Sequence, residues 1–356
     1  MNSEDLYSFF ELPDDSFYTG KTILVTGGGG SIGSELCRRL AAAHPKKLII
    51  LDINENGAYD VVCDTRETGT DISVEIASIC NVPALERIFD KYRPEIVFHA
   101  AAHKHVPLME NCILEAVKNN VCGTFYCMDA AMRCGTERFL LISTDKAVDP
   151  VNVMGATKRA CEVMAMLFAK KEKTVFTTVR FGNVVGSAGS VVPLFCRQIE
   201  KGGPVTITDS RATRFFMDVS EAVALVMQAC AFSDRGGTYV LNMGRQMSIL
   251  GIAEHLIRDA GFEPYRDIKI VETGLRPGEK LHEVIVSDTR DLSPMYDGKI
   301  FSIEDYPVKM SERALRTNIS LISIAESYGK EDIVLAVLKR FVPEFKASEY
   351  GTEEDI

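Results

Sequence analysis

A glycine-rich stretch near the start of the chain constrains the fold most strongly. The segment TGGGGSIG, residues 26–33, follows the apolar run KTILV and precedes the helical pattern ELCRRLAAAH. Gly27, Gly30 and Gly33 fit the spacing TGxxGxxG, in which glycines permit a tight turn and close backbone approach to a pyrophosphate. A helix that begins directly after such a turn offers its N-terminal amides to the same anion. The stretch therefore predicts a dinucleotide-binding strand, turn and helix.

The end of the second apolar run indicates which dinucleotide is bound. The run KLIILD ends in Asp52, and no Arg or Lys occurs between Ile53 and Asp60. A carboxylate at this place accepts hydrogen bonds from the adenosine ribose and repels a 2′-phosphate. We therefore expect NAD as the cofactor, rather than NADP.

The first half of the chain alternates short apolar runs with amphipathic helical patterns. The apolar runs continue with ISVEIAS, EIVFHAA, RFLLIST and TVFTTVRFG, and helical patterns include residues 112–134 and 152–171. Near-continuous apolar runs are typical of strands buried on both faces of a parallel sheet. Right-handed crossovers then place helices on both faces. The predicted fold class is α/β, a Rossmann-type doubly wound parallel sheet.

The pattern changes after about residue 183. A glycine loop, a helix and a short strand are expected in GSAGSVVPLFCRQIEKGGPVTIT, followed by helices over 219–231 and 248–260. These shorter elements predict a smaller C-terminal substrate-binding lobe that caps the sheet. The predicted organisation is an N-terminal arm at 1–20, a dinucleotide-binding domain at 21–182 with segments of about 215–247 returning to it, the substrate lobe at 183–345 and an acidic tail at 346–356.

Composition narrows the class of protein further. The chain of 356 residues is 46% hydrophobic and 25% charged, as in ordinary folded proteins. Its net charge of −10 provides no broad basic field, so we expect no nucleic-acid partner. The ten cysteines lack metal-binding spacing, which predicts free thiols in a reducing compartment and no metal site. Without a signal peptide or a membrane-spanning run, we expect a cytoplasmic protein.

Candidate catalytic groups follow the fourth and fifth apolar runs, in the loops HAAAHKHVP and ISTDKA. In a doubly wound sheet these loops face the nicotinamide end of the cofactor. The second loop holds Thr144, Asp145 and Lys146, three adjacent polar groups of different protonation behaviour. Met154 and Lys158 lie four residues apart on the next predicted helix and therefore on one face. Met154 stands where a YxxxK frame would have tyrosine, and a thioether cannot transfer a proton.

Several stretches together resemble the extended short-chain dehydrogenase/reductases, and among them the UDP-N-acetylglucosamine 4,6-dehydratases of polysaccharide biosynthesis. The resemblance covers about residues 20–345. It rests on VTGGGGSIGSEL, HAAAHKHVPLME, NNVCGT, STDKAVDPVNVMGATK, RFGNVVGSAGSVVP, TRFFM and RPGEKLHE. Within this family, members that retain configuration at carbon 5 often carry methionine in place of the tyrosine. The resemblance therefore implies a retaining subclass, with the first 20 residues similar to the link that follows a membrane part.

The resemblance also implies roles for the candidate residues. Asp145 is the expected general acid, Lys146 the base at carbon 5, and Thr144 a hydrogen-bond partner of the oxygen on carbon 4. Burial and the Lys158 ammonium are expected to lower the pKa of Lys146. The proton on the carbon 4 hydroxyl then leaves through Thr144, Asp145, Lys158 or an ordered water. Further cofactor contacts are expected at Ser31, Ile32, Ser78, Ile79, Ala100, Ala101, Asn119 and Lys158, with Ser78 standing where the family often has an aspartate that contacts adenine.

The UDP part of the substrate needs a separate pocket. Asn183 and the run that ends at Ser190 resemble a diphosphate site built on backbone amides. Arg276 and Glu279 match positions that contact diphosphate and ribose in related folds. Arg214 is either a contact to UDP or a member of an internal ion pair. Weaker assignments near the sugar are Lys104 and Glu110, whereas His103 and His105 are expected to pack locally.

Two other functions share most of these features. A UDP-sugar 4-epimerase has the same fold and cofactor, but it normally depends on the missing tyrosine and needs no adjacent Asp–Lys pair. A non-catalytic NAD-binding regulator is suggested by Met154 alone. The resemblance further implies a homo-oligomer, a dimer or higher, in which the helices at 112–134 and 152–171 form a four-helix bundle.

Overall fold

Strands and helices alternate along most of the computed structural model, which describes residues 15–171, 173–187, 189–287, 292–304 and 308–346. The strands are β1 (Thr22–Thr26), β2 (Lys47–Asp52), β3 (Ile72–Ile76), β4 (Ile96–His99), β5 (Arg138–Thr144), β6 (Val175–Phe181), β7 (Asn183–Val184), β8 (Val205–Ile207), β9 (Thr213–Arg214), β10 (Phe216–Met217), β11 (Gly237–Leu241), β12 (Met247–Ser248), β13 (Ile270–Glu272), β14 (Leu292–Met295) and β15 (Ile300–Ile303). The helices are α1 (Ser31–Ala42), α2 (Glu55–Asp64), α3 (Val82–Tyr92), α4 (Val106–Asn111), α5 (Ile113–Val117), α6 (Thr124–Cys134), α7 (Val153–Ala169), α8 (Val191–Glu200), α9 (Val219–Phe232), α10 (Ile249–Asp259), α11 (Glu312–Ser327) and α12 (Glu331–Phe341), with a π-helical turn at Lys118–Gly123 and a 3₁₀ turn at Asp145–Ala147.

Nine strands form one sheet in the order β14-β15-β11-β6-β5-β4-β1-β2-β3. Neighbours from β3 to β11 run parallel, and β15 and β14 are antiparallel additions at the edge. The chain reverses its direction of travel across the sheet at β1, which lies between β2 and β4. In open α/β sheets a crevice forms at this point, beyond the carboxyl ends of the strands. The predicted doubly wound parallel fold is confirmed.

The apolar runs become strands because helices bury both faces of the sheet. All five residues of β1 are buried, as are the four residues of β4. One face is covered by α1, through Leu36 and Leu40, and by α9. The other is covered by α3, α6 and α7, where Phe125 and Phe168 pack with centroids 5.9 Å apart. The sheet is therefore rigid at the edge where its loops meet.

A second, smaller core lies beyond this edge. It combines Phe195 and Ile199 of α8, Val205 of β8, and Ala253 and Ile257 of α10. Short strand pairs flank it, with β8 beside β13 and β9 beside β12. These segments have their own apolar contacts, as the predicted cap over the sheet requires.

Some elements lie elsewhere than the sequence suggested. The polar interval after β2 contains a helix, α2, that Asn54 caps by accepting a hydrogen bond from the Gly57 amide at 3.2 Å. The end of the predicted substrate lobe, 183–345, returns to the sheet, because β15 pairs with β11. Val334, Leu338 and other apolar residues of α12 then join the main core. Local patterning could not reveal these long-range pairings.

The C-terminal helices also change the expected subunit interface. Between Val153 and Phe168, every residue of α7 except Met166 is buried within the chain. Helix α12 packs on α5 and α7, and α11 packs on the π-helical turn. The part of the expected four-helix bundle formed by α7 is therefore covered by the chain itself, which corrects the assignment of that helix. The homo-oligomeric state stays a prediction.

The ends of the chain are only partly described. Most of the predicted arm and nearly all of the acidic tail, residues 1–14 and 347–356, lie outside the described ranges. The last part of the arm is anchored, because the buried Tyr18 hydroxyl donates to the Met227 carbonyl at 2.5 Å. Among the helices in the described ranges, none is long and apolar enough to cross a bilayer.

A buried carboxylate joins α7 to the two strands beside it. Glu162 accepts hydrogen bonds from Ser143 Oγ of β5 at 2.7 Å and from Arg180 Nε of β6 at 2.6 Å. Arg180 Nη2 and Arg159 Nη1 donate to its other oxygen at 2.5 and 3.0 Å. Burial would raise the pKa of Glu162, but the guanidinium groups and the hydroxyl outweigh it and lower that pKa to about 2.

Replacing Glu162→Gln is expected to lower the free energy of unfolding by about 3–5 kcal/mol, because two guanidinium groups lose their buried counter-charge. Urea denaturation at pH 7 measures the loss. Because the folded-state pKa is depressed, the difference from wild type should shrink as pH falls from about 4.5 towards about 2. Asp71→Asn is the control, since its ion pair with Lys47 is exposed and should contribute less than about 1 kcal/mol. Equal stability of the Glu162 variant and wild type at pH 7 would contradict the prediction.

Candidate active site

The glycine-rich turn between β1 and α1 is packed too closely to accept side chains. Gly27 has φ +71°, and its amide donates to the Leu51 carbonyl at 2.8 Å. A Cβ at Gly27 would lie 2.6 Å from Ala101 N, and one at Gly33 would lie 2.0 Å from the Gly27 carbonyl oxygen. Helix α1 begins directly after the turn, at Ser31. A smooth backbone surface at a helix N-terminus fits a pyrophosphate.

Asp52 is fixed beside this turn at the end of β2. Its Oδ2 accepts a hydrogen bond from the Gly29 amide and its Oδ1 accepts one from the Asn54 amide, both at 2.8 Å. Each carboxylate oxygen has a further lone pair that can accept a ribose hydroxyl. The turn and the carboxylate together fit the pyrophosphate and ribose of a dinucleotide.

The other residues expected at the cofactor lie around the same crevice. Ser78 Oγ accepts a hydrogen bond from the Cys80 amide at 3.1 Å, so it is engaged in a local turn. Ile79 is 4% exposed and its side chain packs against Gly123 in the core. Asn119 Nδ2 donates to Asn120 Oδ1 at 3.1 Å. Ala101 adjoins Gly27, whereas Ile32 lies in the first turn of α1. Their cofactor contacts stay predictions.

The central chemical feature is a direct contact between Asp145 and Lys146. Both residues lie in a 3₁₀ turn that begins where β5 ends. Lys146 Nζ donates to Asp145 Oδ1 at 2.9 Å, and Thr144 Oγ1 donates to the same oxygen at 2.8 Å. The Asp145 side chain is fully buried. An acid and an amine therefore meet at the carboxyl edge of the sheet, two strands away from the glycine-rich turn.

The surroundings of Lys146 differ from those expected. Its Nζ also donates to Asn183 Oδ1 at 3.3 Å and lies 3.9 Å from Glu283 Oε1. Burial opposes the charge of Lys146, but the Asp145 and Glu283 carboxylates outweigh it and raise the pKa of the amine. The expected lowering of this pKa is therefore wrong. Glu283 was not among the predicted site residues, and its only local signal is its place in the stretch RPGEKLHE.

Helix α7 carries Met154 and Lys158, which occupy the tyrosine and lysine positions of the YxxxK frame. Met154 is 3% exposed and belongs to the main apolar core. Burial lowers the pKa of Lys158. The helix can lie close to the 3₁₀ turn at Asp145–Ala147 because residue 155 is glycine. A Cβ at this position would lie 2.2 Å from the Lys146 carbonyl oxygen. Lys158 is thus held in a buried site on the helix that packs against Lys146.

The residues expected at UDP form two groups. Arg214 Nη2 donates to Glu279 Oε1 at 2.9 Å, so Arg214 belongs to an internal ion pair here. Arg276 is exposed, and its amide lies 3.4 Å from Glu279 Oε2. Asn183 faces Lys146, whereas Ser190 precedes α8 and its buried Oγ has no hydrogen-bond partner among the described residues. Asn183 thus lies at the Asp145–Lys146 pair, whereas Arg214 and the Arg276 amide meet at Glu279.

Residues near the expected sugar pocket have distinct environments. Desolvation and the Lys146 ammonium lower the pKa of Lys104. The His105 ring packs where a Cβ of Gly189 would lie, at 2.7 Å. His103 Nε2 is 3.2 Å from Glu115 Oε1, and its amide donates to Asn120 Oδ1. The two histidines make local contacts, as expected.

A set of hydrogen bonds attaches the RPGEK loop to the start of α7. Asn152 caps the helix by accepting from the Gly155 amide at 2.7 Å, and its Nδ2 donates to the Gly278 carbonyl at 2.9 Å. Lys280 Nζ donates to the Val148 carbonyl at 2.9 Å. Glu110, which is 6% exposed, accepts from the Val153 amide. The RPGEK loop is therefore attached both to α7 and to the segment that follows the 3₁₀ turn at Asp145–Ala147.

The fold and the crevice define an extended short-chain dehydrogenase/reductase. The chain belongs to the polysaccharide biosynthesis protein family, whose profile matches residues 23–305. Among solved structures, Pen from Bacillus thuringiensis superposes with a TM-score of 0.75 and 31% identity, covering 84% of this chain and 92% of that one.

Relatives with described activities differ in length and chemistry. Probable polysaccharide biosynthesis protein EpsC of Bacillus subtilis is 48% identical over 75% of this chain and 45% of that protein. The UDP-N-acetylglucosamine 4,6-dehydratase (inverting) of Campylobacter jejuni is 35% identical over 76% of this chain and 78% of that enzyme. The UDP-glucose 4-epimerase of Rickettsia rickettsii is 33% identical over 89% and 99%. The chain spans about half the length of EpsC and of its Staphylococcus aureus relative CapD.

Asn152→Ala is expected to destabilise the protein by about 1 kcal/mol through loss of the helix cap, and to release the RPGEK loop as well. Hydrogen exchange of the amides at 276–280, followed by mass spectrometry, measures that release, because the Asn152–Gly278 bond is lost. Asn54→Ala removes only a cap, that of α2, and should leave exchange at 276–280 unchanged. Unchanged exchange in the Asn152 variant would disprove the attachment.

Proposed function

We propose that the chain is an NAD-dependent nucleotide-sugar 4,6-dehydratase, a hydro-lyase that converts UDP-GlcNAc into a UDP-4-keto-6-deoxy sugar for polysaccharide biosynthesis. The observation that carries the proposal is the 2.9 Å contact between Lys146 Nζ and Asp145 Oδ1 beside a turn that fits a dinucleotide. Elimination of water needs one protein group that acts as a base at one carbon and another that acts as an acid at the neighbouring carbon. The similarity to the Campylobacter jejuni dehydratase supports the same reaction.

The reaction separates into an oxidation, an elimination and a reduction. A dinucleotide held by the glycine-rich turn and Asp52 would supply the hydride chemistry, oxidation at carbon 4 and reduction at carbon 6. Lys146 removes the proton from carbon 5, which the carbon 4 ketone has acidified. Asp145 protonates the departing carbon 6 hydroxyl, so the C6–O bond breaks and water leaves. The proton on Lys146 then returns to carbon 5 as the new methyl group forms.

The contact between the two residues accounts for both protonation states. Lys146 is an ammonium that donates to Asp145, as its raised pKa indicates. Moving one proton from Nζ to the carboxylate produces a neutral base and a protonated acid together, without exchange with solvent. The two groups then titrate as one unit. The carbon 4 hydroxyl can pass its proton to Thr144, whose own hydroxyl donates to Asp145, or to Lys158, whose pKa burial lowers.

The gap between the lobes provides the expected place for UDP. Ser190 Oγ is buried without a partner in the described structure, and the exposed Arg276 can reach a diphosphate. The Arg214–Glu279 pair fixes the loop that carries Arg276. These residues are proposed to bind UDP mainly through polar contacts, with Lys104 nearer the sugar.

A UDP-sugar 4-epimerase is the second candidate, favoured by the similarity to the Rickettsia rickettsii enzyme. That reaction also transfers hydride at carbon 4, but it needs no elimination and no acid at carbon 6. Product mass separates the two, since dehydration removes about 18 Da and epimerisation leaves the mass unchanged.

Incubation of the purified protein with UDP-GlcNAc and NAD⁺ is expected to give a product lighter by the mass of water, measured by mass spectrometry. Lys146→Ala should slow this reaction by about 10²–10⁴-fold, because the base is lost, while NAD⁺ binding measured by calorimetry persists. Lys118→Ala, which removes a surface ion pair with Glu326, is the control. Proton NMR of the product formed in heavy water reports solvent exchange and configuration at carbon 5, where we expect retention. Full turnover in the Lys146 variant would refute the assigned base.

Met154→Leu is expected to change turnover by less than about 3-fold, because the side chain serves packing in the core and leucine has nearly the same volume. Met154→Tyr is the informative companion, since it restores the hydroxyl of the usual frame. Activity in the tyrosine variant alone, with none in wild type, would show that the proton route described above is wrong.

A further inference from the structure

Glu283 is a buried carboxylate at the proposed catalytic pair to which the reaction above assigns no role. Its side chain is 4% exposed, and Oε1 lies 3.9 Å from Lys146 Nζ. Its Oε2 is buried and has no hydrogen-bond partner among the described residues, and the same is true of Asp145 Oδ2. Two incompletely paired carboxylates therefore face one amine.

This arrangement differs from that of the structural carboxylate in α7. Glu162 receives four hydrogen bonds from Ser143, Arg180 and Arg159, which compensate for its burial. Among the described residues, Glu283 Oε1 has a 3.9 Å contact with Lys146 Nζ and the buried Oε2 has no hydrogen-bond partner, although burying a charge without hydrogen bonds is costly. Packing alone would favour an apolar residue at this position. The carboxylate is therefore better explained by its effect on Lys146.

The backbone around Glu283 holds the side chain in this place. Gln246 Nε2 donates to the Glu283 carbonyl at 2.8 Å, and Thr213 Oγ1 donates to Gln246 Oε1. Thr213 also lies 2.8 Å from His282 Nδ1. Residues of β9 and the turn before β12 thus fix the segment that carries Glu283 against the catalytic turn.

The charged groups that act on this carboxylate come from several elements. Burial raises the pKa of Glu283 and the Asp145 charge adds to this effect, whereas Lys146, Arg214 and Lys280 act in the opposite direction. In return, Asp145 and Glu283 both favour the ammonium form of Lys146, against burial and the Arg214 charge. Lys104 is a further cation in this group, and its pKa is lowered by desolvation and by the Lys146 charge.

We propose that Glu283 is a positioning residue that stabilises the ammonium form of Lys146 together with Asp145, and so sets the pH range in which Lys146 acts as a base. After Lys146 has taken the carbon 5 proton and before Asp145 has protonated the leaving hydroxyl, Glu283 is the charged carboxylate that faces the new ammonium. Glu283 therefore stabilises that ammonium. The role of Lys146 as a base rests on the proposed function, but the charge coupling between Lys146 and Glu283 does not.

Direct titration of Lys146 tests the coupling without turnover. Protein labelled with ¹³C at the lysine ε-carbons is titrated by NMR, and the Lys146 signal is assigned by its loss in Lys146→Arg. Glu283→Gln keeps the shape of the side chain and removes its charge, so the Lys146 midpoint should fall by about one pH unit or more. Glu283→Asp retains a carboxylate and should restore much of the wild-type midpoint.

Glu110→Gln is the matched control, because it neutralises another buried carboxylate near the site that is not among the groups acting on Lys146. It should leave the Lys146 midpoint unchanged. An unchanged midpoint in Glu283→Gln, or an equal fall in the Glu110 control, overturns the proposal. If wild type shows no dehydration, the proposed function fails while the NMR result stands by itself.

Turnover gives a second readout where dehydration occurs. The basic limb of the kcat/KM profile should move to lower pH in Glu283→Gln, because the proton that Lys146 shares with Asp145 is then lost to solvent at lower pH. A loss of folding alone would lower the whole profile without moving its limb. Active variants whose limb coincides with that of wild type would also overturn the proposal.

Discussion

The buried Glu162 carboxylate is the interaction on which the geometry of the site depends. It joins α7 to Ser143 of β5 and to Arg180 of β6, directly below the carboxyl edge of the sheet. Asp145 follows Ser143 by two residues, and Lys158 lies one helical turn before Glu162. A contact that fixes α7 against β5 therefore also fixes the distance between the 3₁₀ turn at Asp145–Ala147 and the helix that carries Lys158. The cost of burying these charges is offset because each is paired and hydrogen-bonded.

Close backbone approach is the second constraint. At Gly27 and Gly33 it produces the smooth turn that fits a pyrophosphate, and at Gly155 it lets α7 rest on the carbonyl of Lys146. Side chains at these positions would separate β1 from the loop after β4, or α7 from the 3₁₀ turn at Asp145–Ala147. Glycine is needed at these contacts because of space, and only at Gly27 because of backbone conformation as well. The shape of the crevice therefore depends on close packing of the backbone at these glycines.

These constraints explain what could be predicted from the sequence. The parallel strands, the glycine-rich turn and Asp52 were readable because each depends on a local pattern, and the adjacent Asp145 and Lys146 had to share one strand end. The antiparallel pair β14–β15, the cover that α12 forms on α7, and the approach of Glu283 to Lys146 depend on segments distant in sequence. The hydrophobic periodicity of a single segment does not indicate such contacts. The expected pKa of Lys146 had the wrong direction because Asp145 and Glu283 together outweigh burial, and of these two carboxylates only Asp145 was visible locally.

The methionine in the YxxxK frame can be understood from the same charges. Met154 is part of the core, while the exchangeable protons lie on Thr144, Asp145 and Lys146, which form one hydrogen-bonded chain. In the proposed reaction this chain accepts one proton from the sugar and donates another without a net change in its charge, provided that the ammonium formed on Lys146 has a counter-charge. A carboxylate on each side of Lys146 meets that condition, because the amine keeps one counter-charge while the other carboxylate holds a proton.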